Sequence, residues 1–258
     1  MSTFLRTAAL MLLVLSRTPA LAATLNQSDS SSTKGKQEQN EVCPSVFKHS
    51  LSGLYGIDAL NSNAIQPHSD FDVLYSKAHQ AQHELEALCK TTALLTHTEA
   101  YFAGVKSAER AKEKIRTELN GETNQITDLA RGTIVADDVK SLVSAYEALN
   151  REAKVVRVKN RFKSPAPSGY RDLNILVQLP KTGIIAEVQL HLKAIADVKS
   201  GPEHDLYEII QGIERKAAAQ QRSLNDIETA QIASLRRQSL ELYQNAWQPY
   251  ITTNIRAA

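Results

Sequence analysis

The stretch FKSPAPSGYRDLNILVQLPKTGIIAEVQLHL, residues 162–192, decides the fold. It holds two turns, one built on two prolines and a Gly-Tyr pair, the other Pro180-Lys181-Thr182-Gly183, and each leads into a run mixing polar with aliphatic residues. Proline presets a turn φ and glycine supplies a positive one, so the runs read as strands and the second turn as a hairpin. Successive strand side chains point to opposite faces. Asp172, Asn174 and Gln178 therefore share a face opposite Leu173, Ile175, Val177 and Leu179, and Glu187, Gln189 and His191 oppose Val188, Leu190 and Leu192. Just upstream, KVVRVKNRF (154–162) sets Arg157, Lys159 and Arg161 against Val156, Val158 and Phe162. Three strands with one aliphatic and one polar face imply a sheet with helices packed on one side.

Working outward, ITDLARGTIV (126–135) is a further β-rich run, and DDVKSLVSAYEALNRE (137–152) is a helix opened by an aspartate cap. Apolar residues at helical spacing make 70–97 a long amphipathic helix. VKSAERAKEKIRTEL (105–119) is a helix carrying Lys106, Arg110, Lys112, Lys114 and Arg116. Beyond Pro202 the chain returns to helix through about Gln248. The expected fold is α+β, a mixed sheet of about five strands with flanking helices.

The 258 residues carry a net charge of only +2, so no global field marks a nucleic-acid binder, and no stable nucleic-acid complex is expected. Residues 1–22 combine Arg6, a short apolar core and an Ala-x-Ala pattern, the layout of a secretory signal peptide. Residues 23–42 are polar and read as a disordered linker, leaving 43–258 as the folded domain. The expectation is an exported protein, periplasmic or secreted, with no membrane segment after leader cleavage. In an oxidising compartment Cys43 and Cys89 are disulfide candidates. Nothing in the sequence fixes an oligomeric state.

The polar face is chemically loaded, with cations, carboxylates and amides grouped by strand. Asp128 before one strand and Glu187 on another could hold Mg2+, which takes few carboxylates and fills its other positions with water and phosphate oxygens. Cations of the basic helix, with Arg131, Arg157, Lys159 and Arg161, would neutralise phosphate charge. The residues alone thus point to phosphoryl or nucleotidyl transfer.

The runs VKSAERAKEKI, DLARGTIVADDV, FKSPAPSGYRDLNILV and EVQLHL, in this order over about 100–210, resemble the RelA/SpoT (p)ppGpp synthetase domain family, which has a nucleotidyltransferase-like fold. The resemblance implies a diphosphokinase that moves the pyrophosphoryl group of ATP to a ribose 3′-hydroxyl of a GDP- or GTP-like nucleotide or an RNA. It implies magnesium and catalytic roles for Asp128 and Glu187, with Glu187 as general base. It implies ATP binding by Lys106, Lys114, Arg116, Arg131 and Lys159. Tyr170 would stack on the acceptor base, with Asp172, Asn174, Gln189 and His191 walling the acceptor pocket. The departures cluster on the acceptor side: Asp172 and Asn174 stand where the family has Ser and His, and His191 where it has Arg. Thr133 replaces another family arginine, with Arg131 two positions earlier.

Export conflicts with an ATP-using site, because ATP is scarce outside the cytoplasm. Three readings follow: a secreted toxin or effector acting inside another cell, a catalytically silent nucleotide-binding module, and an extracytoplasmic interaction protein that keeps only the fold.

Overall fold

The computed structural model describes residues 48–255. The expected leader, the linker of 23–42 and Cys43 lie outside the described residues. Along the chain run α1 (Leu51–Tyr55), β1 (Leu60–Asn61), α2 (Phe71–Thr96), β2 (Glu99–Tyr101), α3 (Ala108–Glu118), β3 (Arg131–Ala136) and α4 (Val139–Glu152). β4 (Lys154–Asn160), β5 (Leu173–Gln178), β6 (Ile185–Leu192), α5 (Lys193–Ser200), α6 (Pro202–Ala219) and α7 (Asp226–Ile255) follow. The sheet has six strands in the order β1-β4-β5-β6-β3-β2. Only the β3–β6 pair is parallel. The extra strand beyond the expected five arises at the edges, where two- and three-residue strands are too short to show a period.

Local chemistry sets the helix ends. Asp70 Oδ1 accepts from the Val73 amide (2.9 Å) and Asp138 Oδ1 from Ser141 (2.7 Å), each satisfying an unpaired first-turn donor. The aliphatic face of the sheet, with Ile134, Val158, Ile175, Val177, Val188 and Leu190, is buried with Leu74, Ala78 and Leu85 of α2 and Leu142 and Leu149 of α4 in one core. Cys89 belongs to that core: it is fully buried, and burial pushes its thiol up to about 12.

Two expectations need correction. Val156 does not share the core face with Val158, because a bulge between Val155 and Arg157 breaks the alternation. Val156 instead clusters with Leu176 and Ile185, apart from the main core. The polar face is also not an open wall. Asp172 is fully buried, His191 is 1% exposed and Asn174 4%. At that end the face meets α5 and the α6–α7 hairpin. Within the hairpin Glu203 accepts from Ser239 Oγ and Tyr243 Oη, both at 3.0 Å.

The SGY turn fits beneath α7. Gly169 has φ +83°, and a Cβ there would lie 3.0 Å from Leu240 Cδ1 and 3.2 Å from Tyr243 Cβ. Both the left-handed backbone and the close approach call for glycine. On the strand before it, Asn160 Nδ2 donates to the Leu54 and Ile57 carbonyls (2.7 and 3.1 Å), while its Oδ1 accepts from the amides of Phe162 and Lys163 (both 3.1 Å). One buried amide thus fixes the start of the turn.

Candidate active site

The carboxylate half is assembled by backbone pins around β3 and β6. The Lys106 amide donates to the Leu129 carbonyl, and the Glu187 amide to that of Ala130, each at 3.0 Å. Lys106 lies just ahead of α3, not in it as the sequence predicts, and Asp128 precedes β3. Lys106 and Lys114 each place Nζ 2.9 Å from Asp128 Oδ2. Burial opposes the charge on Asp128, but the hydrogen bonds and charges of Lys114 and Lys106 outweigh it and hold the carboxyl below its ordinary value. Asp128 Oδ1 is buried with no hydrogen-bond partner among the described residues.

Glu187 pairs in parallel register with Arg131, and its Oε1 accepts from Gln189 Nε2 (2.9 Å). Both carboxylates are near enough to Arg157 to raise its pKa against the larger, lowering effect of burial. The backbone of Arg131 is clasped by the Gln82 side chain of α2, whose Oε1 accepts from its amide (3.0 Å) and whose Nε2 donates to its carbonyl (3.2 Å). Arg131 Nε, buried, also lacks a partner among the described residues. A cavity of about 260 Å³ is lined by Arg131, Thr133, Glu187, Gln189, Lys199 and Tyr101. A second, of about 450 Å³, runs along α3 past Lys106, Arg110 and Lys114. Arg116 lines neither, and is exposed and paired with Glu113, which lines the second. Arg110 takes the cavity position expected of it, because helical rotation, not charge density along the sequence, decides which cations face inward.

No group of three or more metal-binding side chains occurs among the described residues. Two carboxylates, one with an orphaned oxygen, suit an ion that leaves most of its coordination to water and substrate oxygens.

The other half surrounds a cavity of about 390 Å³ lined by Arg161, Ser168, Tyr170, Gln189, Lys199 and the α6–α7 residues Glu203, His204, Tyr207 and Tyr243. Tyr170 faces it as the sequence predicts, its ring packed edge-on against Tyr243 (centroids 5.6 Å apart), with Arg161 and Lys199 over it at 5.7 and 5.6 Å. Its hydroxyl donates to Asp172 Oδ2 (2.9 Å) and sits 2.6 Å from His191 Nε2. Asp172 Oδ1 accepts from Arg161 Nη1 at 2.6 Å. Burial drives the His191 imidazole well below its ordinary pKa, so it is neutral near pH 7. Burial raises Asp172, against the pull of Arg161 and Tyr170.

The acceptor-wall assignments for Asp172, Asn174 and His191 therefore change. Asp172 is sealed beneath the cavity and bonds the two side chains that line it. Asn174 is tied to Arg157 Nη2 (3.4 Å). His191 reaches only a neighbouring cavity and buttresses Tyr170. Gln189 alone of the expected wall residues on the strands lines the cavity with Tyr170. Lys159 remains on the cationic face beside Arg157 and Arg161, whose charges, after burial, lower its pKa. Sequence reasoning missed Lys199, Tyr101 and the α6–α7 residues, since the strand alternation that exposed the rest says nothing about helices folded back over the sheet.

No family model matches the chain. The (p)ppApp synthetase toxin Tas1 of Pseudomonas aeruginosa (strain UCBPP-PA14) is 34% identical over 121 residues, which are 47% of this chain and 27% of that protein. The chain thus spans little more than a quarter of the relative's length. Among solved structures, the complex of the type VI effector Tas1 with its immunity protein matches 69% of this chain and 96% of that chain, at 25% identity and TM-score 0.52. Small alarmone synthetase 2 from Bacillus subtilis shares the fold over 70% of this chain and 97% of its own, with TM-score 0.53 and 19% identity. In sequence the chain is thus similar over part of its length to a (p)ppApp synthetase toxin, and its fold is shared with that effector and with a small alarmone synthetase.

Proposed function

We propose that the protein is an ATP-dependent diphosphokinase that pyrophosphorylates the 3′-hydroxyl of an adenine nucleotide, and that it is an exported toxin acting where it meets ATP. The observation that carries the reading is the pairing of Lys106 and Lys114 on one oxygen of Asp128, with the other oxygen without a partner among the described residues, just ahead of the strand that pairs with that of Glu187. The adenine acceptor follows the similarity to a (p)ppApp synthetase, and the toxin role follows that relative and the leader-like residues 1–22.

Lys106, Lys114 and Arg131 bind the triphosphate of ATP. The acceptor lies against Tyr170, with Arg161 beside it. Asp128 Oδ1 and Glu187 would hold Mg2+, which when bound offsets charge on the phosphate oxygens. Glu187 takes the proton of the acceptor 3′-hydroxyl. That oxygen then bonds to the β-phosphorus, the bond from the β-phosphorus to the oxygen bridging it to the α-phosphorus breaks, and AMP departs with that oxygen. Because a loose phosphoryl transfer needs little covalent help, these residues act by positioning and charge. An immunity protein covering the site is the corresponding partner expected for a toxin of this kind.

The test is incubation of the purified protein with ATP, Mg2+ and separate AMP, ADP, GDP and total-tRNA acceptors, followed by mass analysis. AMP release with a 3′-pyrophosphorylated adenine nucleotide is expected. ATP binding without transfer to any acceptor would instead mark a silent nucleotide-binding module.

A further inference from the structure

Resting on that reading, we infer that Lys199 of α5 is a catalytic residue, the cation that holds the pyrophosphoryl group as it passes from donor to acceptor. Three observations converge on this side chain. It lines three cavities: that of Tyr170 and Arg161, that of Glu187 and Arg131, and a third of about 430 Å³ between α5 and β3. A group in the wall shared by the acceptor and carboxylate cavities stands where the migrating phosphorus must cross.

Its bonding is incomplete in the direction of those cavities. Nζ donates to Gln189 Oε1 at 2.6 Å, and Gln189 is itself held by Glu187. An ammonium has three donors, and a neutral amide takes one. Among the described residues no carboxylate pairs with Lys199. Asp172, Glu187 and Glu203 attract it at longer range and Arg161 repels it, while burial is the largest influence on its pKa and lowers it. A partly desolvated cation without a counter-ion is costly to maintain, and such groups collect at functional sites.

Its location also supplies a cation that the strand beneath does not. His191, on the strand beneath, is neutral and sealed under Tyr170, so β6 supplies no cation at the acceptor end of the transfer path. Lys199 supplies one from the next helix, with its Nζ over the Tyr170 ring. The Gln189 bond fixes Nζ in the wall of both cavities and leaves two donors for phosphate oxygens.

The test compares wild type with Lys199→Met, which keeps the apolar stem, and Lys199→Arg, which restores the charge. Loss of a donor that acts on developing transition-state charge lowers kcat by about 100-fold, with KM for ATP and acceptor shifting far less. Lys199→Arg is expected to recover at least about tenfold of that loss. Inorganic pyrophosphate with Mg2+, titrated calorimetrically, is expected to bind the Met variant about tenfold more weakly than wild type. Unchanged kcat in the Met variant, an effect confined to KM, or no recovery with Arg would overturn the assignment. If wild type itself releases no AMP, the diphosphokinase reading fails first. The pyrophosphate titration then judges Lys199 alone, and equal affinities or no wild-type binding would overturn it.

Discussion

The two halves of the site use polar groups in opposite ways. Around Asp128 and Glu187 the valences are left open: Asp128 Oδ1 and Arg131 Nε are buried without partners, and Lys106 and Lys114 crowd one carboxylate oxygen. Around Tyr170 they are largely closed on one another, in a buried chain from His191 through Tyr170 and Asp172 to Arg161. Open groups cost stability and await a ligand; closed ones stiffen a scaffold. Substitutions in the first half should therefore be read mainly in turnover, and those in the second mainly in stability.

The largest expected effect is Glu187→Gln, which removes the base and lowers kcat by about 1,000-fold or more. Its melting temperature should stay close to wild type, since among the described residues its side chain accepts only from Gln189. Asp128→Asn should match it in turnover but also lose stability, because Lys106, 9% exposed, is left without its counter-charge. A loss of stability in Glu187→Gln as large as that in a closed-half variant would break the contrast between open and closed halves. Next comes Asp172→Asn, where splitting a buried ion pair costs about 3 kcal/mol by denaturant titration. Gly169→Ala should cost about 1–2 kcal/mol, from the left-handed φ and the crowding by Leu240 and Tyr243.

A smaller effect is expected with pH. Because folding depresses the His191 pKa, its contribution to stability is complete above about pH 6.5 and falls as the unfolded chain takes up a proton below it. Asp128, also depressed, adds a loss only below about pH 4, whereas Asp172, raised, acts in the opposite sense. The denaturant midpoint should thus decline between pH 7 and 5, and His191→Gln should flatten that decline. Smallest of all, Arg116→Ala should leave the KM for ATP within about twofold, because Arg116 is exposed and itself lines neither cavity of the carboxylate half.

How far each half could be read in the sequence follows the same division. The sheet and the shared face of Glu187 and Gln189 were legible because a period of two assigns side chains to faces without further knowledge. The bulge at Val156 was not, since one extra residue changes the face without changing the pattern. Arg116 and Arg110 share the composition of α3, and only the helix rotation separates them. The roles of Asp172 and His191 were hidden because α6 and α7, more than thirty residues from Tyr170 at Tyr207 and Tyr243, return to close over them. Composition shows that a residue is polar, whereas only tertiary packing decides if it faces a ligand or a neighbour.

The most direct test is transfer of label from γ-labelled ATP to an adenine nucleotide by wild type and Glu187→Gln side by side, with folding of both verified. Label on the 3′ position and stoichiometric AMP are expected with wild type, and neither with the variant. Label transfer at equal rates by both proteins would contradict the assignment of the reaction to this carboxylate, and absence of transfer by a folded wild type would contradict the reaction itself.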